Sequence, residues 1–210
     1  IAAASGVGKS HFLTMLGANA LREGKKVLHY TFELSAEQIG LRYDSNLCNI
    51  DSNDLIENKD IVVEMYKGMN LGRLFIKYYP TNTATVNTLK AHVEKLTLKG
   101  FRPDIILIDY ADIMQSTRKF DSLRHELVLV YRELRGLAGE LGVPIATASQ
   151  VNREGAEAEV VDMTNMSEAF GKVFIADVVL TISRRSIEKA SGWGRLFMAK
   201  NRFGRDGLVY

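Results

Sequence analysis

The sequence predicts an α/β fold, with a mostly parallel central sheet flanked by helices and an antiparallel C-terminal edge, and three observations carry this expectation. Short runs rich in β-branched and aromatic residues recur at 26–32, 74–79, 105–110, 144–149, 177–182, 194–199 and 208–210, as strands should. Segments with apolar residues at helical spacing separate the earlier runs. The stretches Ile105-Ile106-Leu107-Ile108 and Val178-Val179-Leu180 are apolar throughout, the pattern of strands covered on both faces.

Taken in order, a first helix over residues 10–22 aligns Leu13, Leu16 and Ala20, and Gly24 stops it before the strand at 26–32. A second, over 86–98, aligns Leu89, Val93 and Leu96 ahead of the strand at 105–110. A third, over 127–141, aligns Val130, Leu134 and Leu137 and stops at Gly142 before the strand at 144–149. Strands alternating with helices imply parallel neighbours, because parallel pairs need a crossover and crossovers are right-handed. From about residue 177 the strands follow one another directly, which predicts the antiparallel edge. The first residues already form a loop of a kind that follows a complete strand, so the preceding strand is expected to lie outside the sequence.

At 210 residues, 46% hydrophobic and 25% charged, the chain suits one compact domain spanning residues 1–210. No apolar run approaches the roughly 20 residues needed to cross a bilayer, so a soluble, cytoplasmic protein is expected, with no membrane partner. Cys48 is the single cysteine, and His11, His29, His92 and His125 lie far apart, which sets aside disulfide and zinc scaffolds. A formal charge of +2 permits nucleic-acid binding without demanding it.

Residues Ala3-Ala4-Ser5-Gly6-Val7-Gly8-Lys9-Ser10 match G-x-x-x-x-G-K-[ST] except that Ala3 stands in for the first glycine. In such a phosphate-binding loop, glycines let backbone N–H groups wrap the anion, Lys9 sets a cation beside the β- and γ-oxygens, and Ser10 gives Mg²⁺ a hydroxyl ligand. The following helix points its N-terminus at the same anion. Ser5, Gly6, Val7, Gly8, Lys9, Ser10 and His11 are therefore the expected nucleotide contacts.

Asp109 ends an apolar run, and a lone carboxylate there is expensive unless a cation compensates it, which is the Walker B role. Glu33 ends Val27-Leu28-His29-Tyr30-Thr31-Phe32, and Gln150 ends Ile145-Ala146-Thr147-Ala148-Ser149. Each alone reads equally as a polar residue where a strand meets solvent. Together with Lys9 and Asp109 they share the carboxyl edge of a parallel sheet, where ligands collect. Glu33 is then placed to orient and deprotonate water, and Gln150 to sense the γ-phosphate.

Five blocks carry a family resemblance: Thr31-Phe32-Glu33-Leu34-Ser35; Leu71-Gly72-Arg73-Leu74-Phe75-Ile76 with Tyr79-Pro80-Thr81; Ile108-Asp109-Tyr110; Ser149-Gln150-Val151-Asn152-Arg153; and Ala199-Lys200-Asn201-Arg202-Phe203-Gly204. Over essentially its whole length the sequence resembles the C-terminal ATPase domain of DnaB-type replicative helicases, including those of T-even bacteriophages. The resemblance implies a RecA-like P-loop NTPase that hydrolyses ATP with Mg²⁺ to translocate on single-stranded DNA as a homo-hexameric ring. Primase and a helicase loader are the implied partners of the full-length protein, and a linker helix and N-terminal domain are expected outside this sequence.

The same resemblance makes Glu33 the catalytic base and Gln150 a γ-phosphate contact. It makes Lys200 and Arg202 a finger reaching the neighbouring subunit's ATP site, and packs Arg184 on the nucleotide base. From the residues alone, a Lys-x-Arg pair on a strand places both cations on one face, which suits a polyphosphate, although a basic edge strand also guards a sheet against aggregation. Arg118, Lys119 and Arg153, on loops leaving central strands, could track a DNA backbone without reading sequence; a solvated loop tip is the plainer reading of the first two.

Two rival readings keep the phosphate loop: another RecA-class ATPase, such as a recombinase or clock-type kinase, and a non-hydrolysing nucleotide- or DNA-binding module. The Ser-Gln-x-Asn-Arg block and the Lys-x-Arg-Phe-Gly ending oppose the first, and intact Lys9, Glu33 and Asp109 oppose the second.

Overall fold

Strand β1 (Ala2–Ala3) is two residues long, yet it pairs in parallel with β6 (Ser149–Gln150) on one side and β7 (Val178–Ser183) on the other. At least the end of the strand expected outside the sequence therefore lies within it. The computed structural model describes residues 1–151, 170–185, 188 and 191–210. Among these, β8 (Arg195–Asn201) pairs antiparallel with β7 and closes one sheet in the order β6-β1-β7-β8.

A second sheet, wholly parallel, runs β3 (Leu74–Tyr78), β2 (Val27–Thr31), β4 (Ile105–Asp109), β5 (Ile145–Thr147). The run expected as one strand at 144–149 is thus divided at Ala148, contributing β5 to one sheet and β6 to the other. The terminal run 208–210 adds only a single bridge, Val209 to Phe197, and not a full strand.

Helices cover both faces. On one, α1 (Lys9–Arg22) and α2 (Ala36–Cys48) pack Leu13, Leu21, Ile39, Tyr43 and Leu47 against Val27 and Leu107. On the other, α4 (Val86–Leu98) and α5 (Leu123–Leu141) set Leu89, Val93, Val130 and Leu134 against Leu28, Tyr30, Ile106 and Ile108. Successive strand residues face opposite layers, which is why β2 and most of β4 are buried at every position. Truncating a side chain as deeply held as Leu107 to alanine would cost about 2–5 kcal/mol.

α2 begins at a capping box in which the Ser35 side chain accepts from Gln38 N–H and Gln38 reciprocates at the Ser35 N–H. α3 (Lys59–Gly68) lies outside the core, with no buried residue. α6 (Phe170–Ile175) precedes β7. No helix among the described residues is long and apolar enough to cross a membrane.

Candidate functional site

Parallel register decides which groups meet. Thr31 lies opposite Asp109, and Ala3 lies opposite both Gln150 and Ile182. Lys9 and Glu33 follow the carboxyl ends of β1 and β2, and Asp109 and Gln150 are the last residues of β4 and β6, with β1 and β6 in one sheet and β2 and β4 in the other. Lys9 and Asp109 each feel the other's charge, and both feel Glu33.

The loop between β1 and α1 turns through Gly6 at φ 72° and Gly8 at φ 114°, conformations that a side chain would strain. Ala3, the departure from the motif, sits fully buried in extended β1, where no positive φ is required. Gly8 caps α1, whose first-turn N–H groups have no partner inside the helix.

Lys9 is buried and donates from Nζ to the carbonyls of Ala3 (3.0 Å) and Ala4 (2.8 Å). Burial pulls its pKa down, against the opposing pull of Asp109, Glu33 and Asp112. Asp109 is 1% exposed, and neither carboxylate oxygen has a hydrogen-bond partner among the described residues. Burial raises its pKa; the nearby Ser10 hydroxyl lowers it in part, as do Arg42 and Lys9, while Glu33 adds to the rise. A buried carboxylate left this way is costly until a cation or donor meets it.

Glu33 stands exposed at the bend after β2, and Gln150 is exposed at the end of β6. A cleft of about 410 Å³ beside the phosphate loop is lined by Val7, Gly8, His11, Arg42, Ile182 and Arg184, so Arg184 and His11 share one wall system with the loop. Partial desolvation and then Arg42 lower the His11 pKa. A larger cleft, about 480 Å³, is mostly apolar and is not lined by the phosphate loop, which the smaller one adjoins through Val7 and Gly8.

Two residues escaped the sequence reading. Arg42 projects from α2, its Nη1 buried without a hydrogen-bond partner among the described residues, and its charge lowers the pKa of Asp109, His11 and His29. The capping box Ser35-x-x-Gln38 would have revealed the helix that carries it. Asp112, in the 3-10 turn Ala111–Ile113 after β4, accepts from Tyr131 Oη (2.7 Å), Ser149 Oγ (3.0 Å), Gln150 N–H (3.3 Å) and Lys172 Nζ (2.9 Å). Nothing in the sequence pairs it with Lys172, 60 residues away.

Lys200 and Arg202 lie elsewhere. Lys200 pairs with Val179 at the amino end of β7, the opposite edge of the sheet from Lys9. Its Nζ donates to the carbonyls of Val173 (3.0 Å), Phe174 (3.1 Å) and Ala176 (2.8 Å), closing the carboxyl end of α6. Burial, then Arg202, lowers its pKa, with Asp177 opposing and Arg135 adding. Arg202 is one residue beyond β8, in a turn, so strand alternation is not what aligns the two cations. It pairs with Asp177 (3.0 Å), which Arg135 also reaches (2.8 Å). Arg118 and Lys119 are exposed on the loop leaving the carboxyl end of β4, next to the exposed Phe120. Arg153 lies outside the described residues.

The chain is similar to a DnaB-like replicative helicase of Enterobacteria phage T4, with 31% identity over 94% of this chain and 44% of the relative. It is similar to the replicative DNA helicase DnaB of Helicobacter pylori (strain ATCC 700392 / 26695), with 25% identity over 88% of this chain and 39% of that protein. It therefore spans less than half the length of these relatives. A solved structure described as the ATPase domain of G40P superposes with a TM-score of 0.82 at 17% identity, covering 99% of this chain and 78% of the other, which makes the fold RecA-like. The model of the DnaB-like helicase C terminal domain matches residues 1–210, and the chain belongs to that family.

Proposed function

We propose that this chain is the ATP-driven motor of a replicative DNA helicase. The observation that carries the reading is that Lys9, Glu33 and Asp109, at or just beyond the carboxyl ends of β1, β2 and β4, lie close enough to feel one another's charge, with Gln150 at the end of β6.

Loop N–H groups from Ser5 to Ser10 bind the phosphates, and Lys9, turned from its carbonyls, donates to the β- and γ-oxygens. Glu33 orients the attacking water and takes its proton on a carboxylate oxygen. The Gln150 amide donates to the γ-phosphate, and His11 and Arg184 border the space for the nucleoside. Ser10 and Asp109 would hold Mg²⁺: the Asp109 oxygens, without a hydrogen-bond partner among the described residues, fit a cation. Bound there, the ion would neutralise charge on the β- and γ-phosphates.

Lys200 and Arg202, set at the far edge of their own sheet, serve the ATP site of a neighbouring copy, where they stabilise charge developing in the transition state. The working assembly is a cytoplasmic homo-hexameric ring. Arg118, Lys119 and Arg153 hold the phosphates of single-stranded DNA in its channel. Primase and a loader bind the full-length protein; a solved DnaB-like helicase that superposes on this chain at a TM-score of 0.81 is described with its interactions with primase.

The test is ATP hydrolysis by the full-length protein with and without single-stranded DNA, alongside its mass in solution with a nonhydrolysable nucleotide. DNA-stimulated turnover by a hexamer is expected. A ring that binds nucleotide and never hydrolyses it would instead be a silent binding module.

A further inference from the structure

Among the described residues, β6 is the outer strand of its sheet, and only one of its sides is paired. The Ser149 N–H donates to Ile1 O (2.8 Å) and the Val151 N–H to Ala3 O (3.3 Å), both toward β1. By strand alternation the N–H of Gln150 points the other way, into the seam between the two sheets. There it meets a side chain where a strand would otherwise be: the Asp112 Oδ2, at 3.3 Å. The same oxygen accepts the Ser149 hydroxyl at 3.0 Å, and Tyr131 donates to Oδ1 at 2.7 Å.

An anion with its side chain only 12% exposed needs compensation, and it has it. Lys172 Nζ, its own side chain 9% exposed, lies 2.9 Å from Oδ2, donates to Ser149 Oγ (3.2 Å) and stands over the Tyr131 ring at 5.5 Å. Every partner that a buried ion pair needs is present, which distinguishes it from the unsatisfied Asp109 three residues earlier.

We propose that Asp112 is a positioning residue for Gln150, holding the main chain on the side of β6 that no described strand pairs and fixing the Gln150 amide relative to the β4 strand that carries Asp109, with Lys172 as its counter-charge. This rests on the reading of Gln150 as the γ-phosphate contact. A main chain held on both sides cannot swing, so the amide is aimed before the triphosphate arrives. Sequence position alone could not reveal this, because the link is tertiary and the residue lies outside the phosphate-loop and strand-end motifs.

The experiment is a double-mutant cycle on kcat in the full-length protein: Asp112→Asn, Gln150→Ala and both together, with nucleotide affinity measured in parallel. Asp112→Asn should lower kcat roughly tenfold, the scale on which orienting partners act, with affinity unchanged within about twofold. In the Gln150→Ala background the same change should cost nothing further. Losses that multiply would overturn the proposal, as would wild-type kcat in Asp112→Asn. Wild-type kcat in Gln150→Ala would instead remove the γ-phosphate reading itself, and the positioning role with it. Should Asp112→Asn fail to fold because Lys172 is left buried and alone, Asp112→Asn with Lys172→Met removes the stranded charge. That variant should fold and keep the low kcat, and recovery of wild-type kcat in it would equally overturn the assignment.

Discussion

Thr31 and Asp109 face one another in the β2–β4 register, and Phe32 N–H donates to the Asp109 carbonyl at 2.9 Å. Glu33, one residue on, is therefore held near Asp109 by main-chain pairing, while the residue itself remains exposed to solvent. Removing only its basicity tests this: Glu33→Gln should bind ATP normally and hydrolyse it about 10²–10⁴ times more slowly. Rapid-quench and equilibrium binding assays on the same preparation separate the two effects. Weakened binding at unchanged kcat would assign Glu33 to ground-state contacts instead.

Asp109 presents the opposite case, a carboxylate whose surroundings disfavour its charge. Its pKa is raised chiefly by burial, so at neutral pH its ionisation opposes folding, and the penalty appears as pH climbs through its raised pKa. Asp109→Asn should consequently melt higher than wild type without nucleotide, by about 1 kcal/mol or more. The same variant should lose the further stabilisation that Mg²⁺ with ATP brings to the wild type. Calorimetry across the four conditions checks both signs, and a destabilised variant would show that Asp109 holds the fold instead of straining it.

Much of this was legible beforehand, for identifiable reasons. The α4 helix spans Val86–Leu98, the residues that its apolar period indicates, and Asp109 ends the strand that its apolar run announces, whereas Glu33 falls two residues past β2 and Gln150 ends the short β6 split from the run before it. α2 passed unread because its amphipathic face is carried by Ile39, Tyr43 and Leu47, with a buried tyrosine where periodicity seeks aliphatics. α3 passed unread because Ile61, Val62 and Val63 are consecutive and β-branched, a strand-like run that is helical without burying any residue. Arg42 and Asp112 matter through partners distant in sequence, which no local pattern contains.

The placement of Arg202 gives a sharper test than its loss alone. Within its own chain it contributes one exposed ion pair with Asp177, worth roughly 0–1 kcal/mol, so Arg202→Ala should melt close to wild type. Turnover should nonetheless disappear, because every ATP site loses its neighbour's cation. Mixing Arg202→Ala with Lys9→Ala subunits, each inactive alone, should restore measurable hydrolysis, since some interfaces then join an intact Lys9 to an intact Arg202. Absence of activity in mixed rings whose composition is verified by native mass spectrometry would return Arg202 to a purely structural role beside Asp177.

His29 offers a test of the core that leaves the nucleotide site untouched. Its ring is fully buried on β2, with Nδ1 2.9 Å from Tyr43 Oη and Nε2 lacking any partner. Burial first, and Arg42 second, push its pKa from 6.5 down to about 3. The unfolded chain thus takes up a proton near pH 6.5 that the folded chain refuses until about 3, so the stability His29 supplies above pH 6.5 drains away as pH falls through that interval. The slope should approach about 1.4 kcal/mol per pH unit in the middle of the window. Urea unfolding of wild type and His29→Gln between pH 7 and pH 5 isolates it, because the fixed cost of the substitution cancels when slopes are compared. Glutamine can still bond Tyr43 but cannot titrate, so its curve should be flatter; parallel curves would mean that the buried imidazole is not the group that makes this domain acid-sensitive.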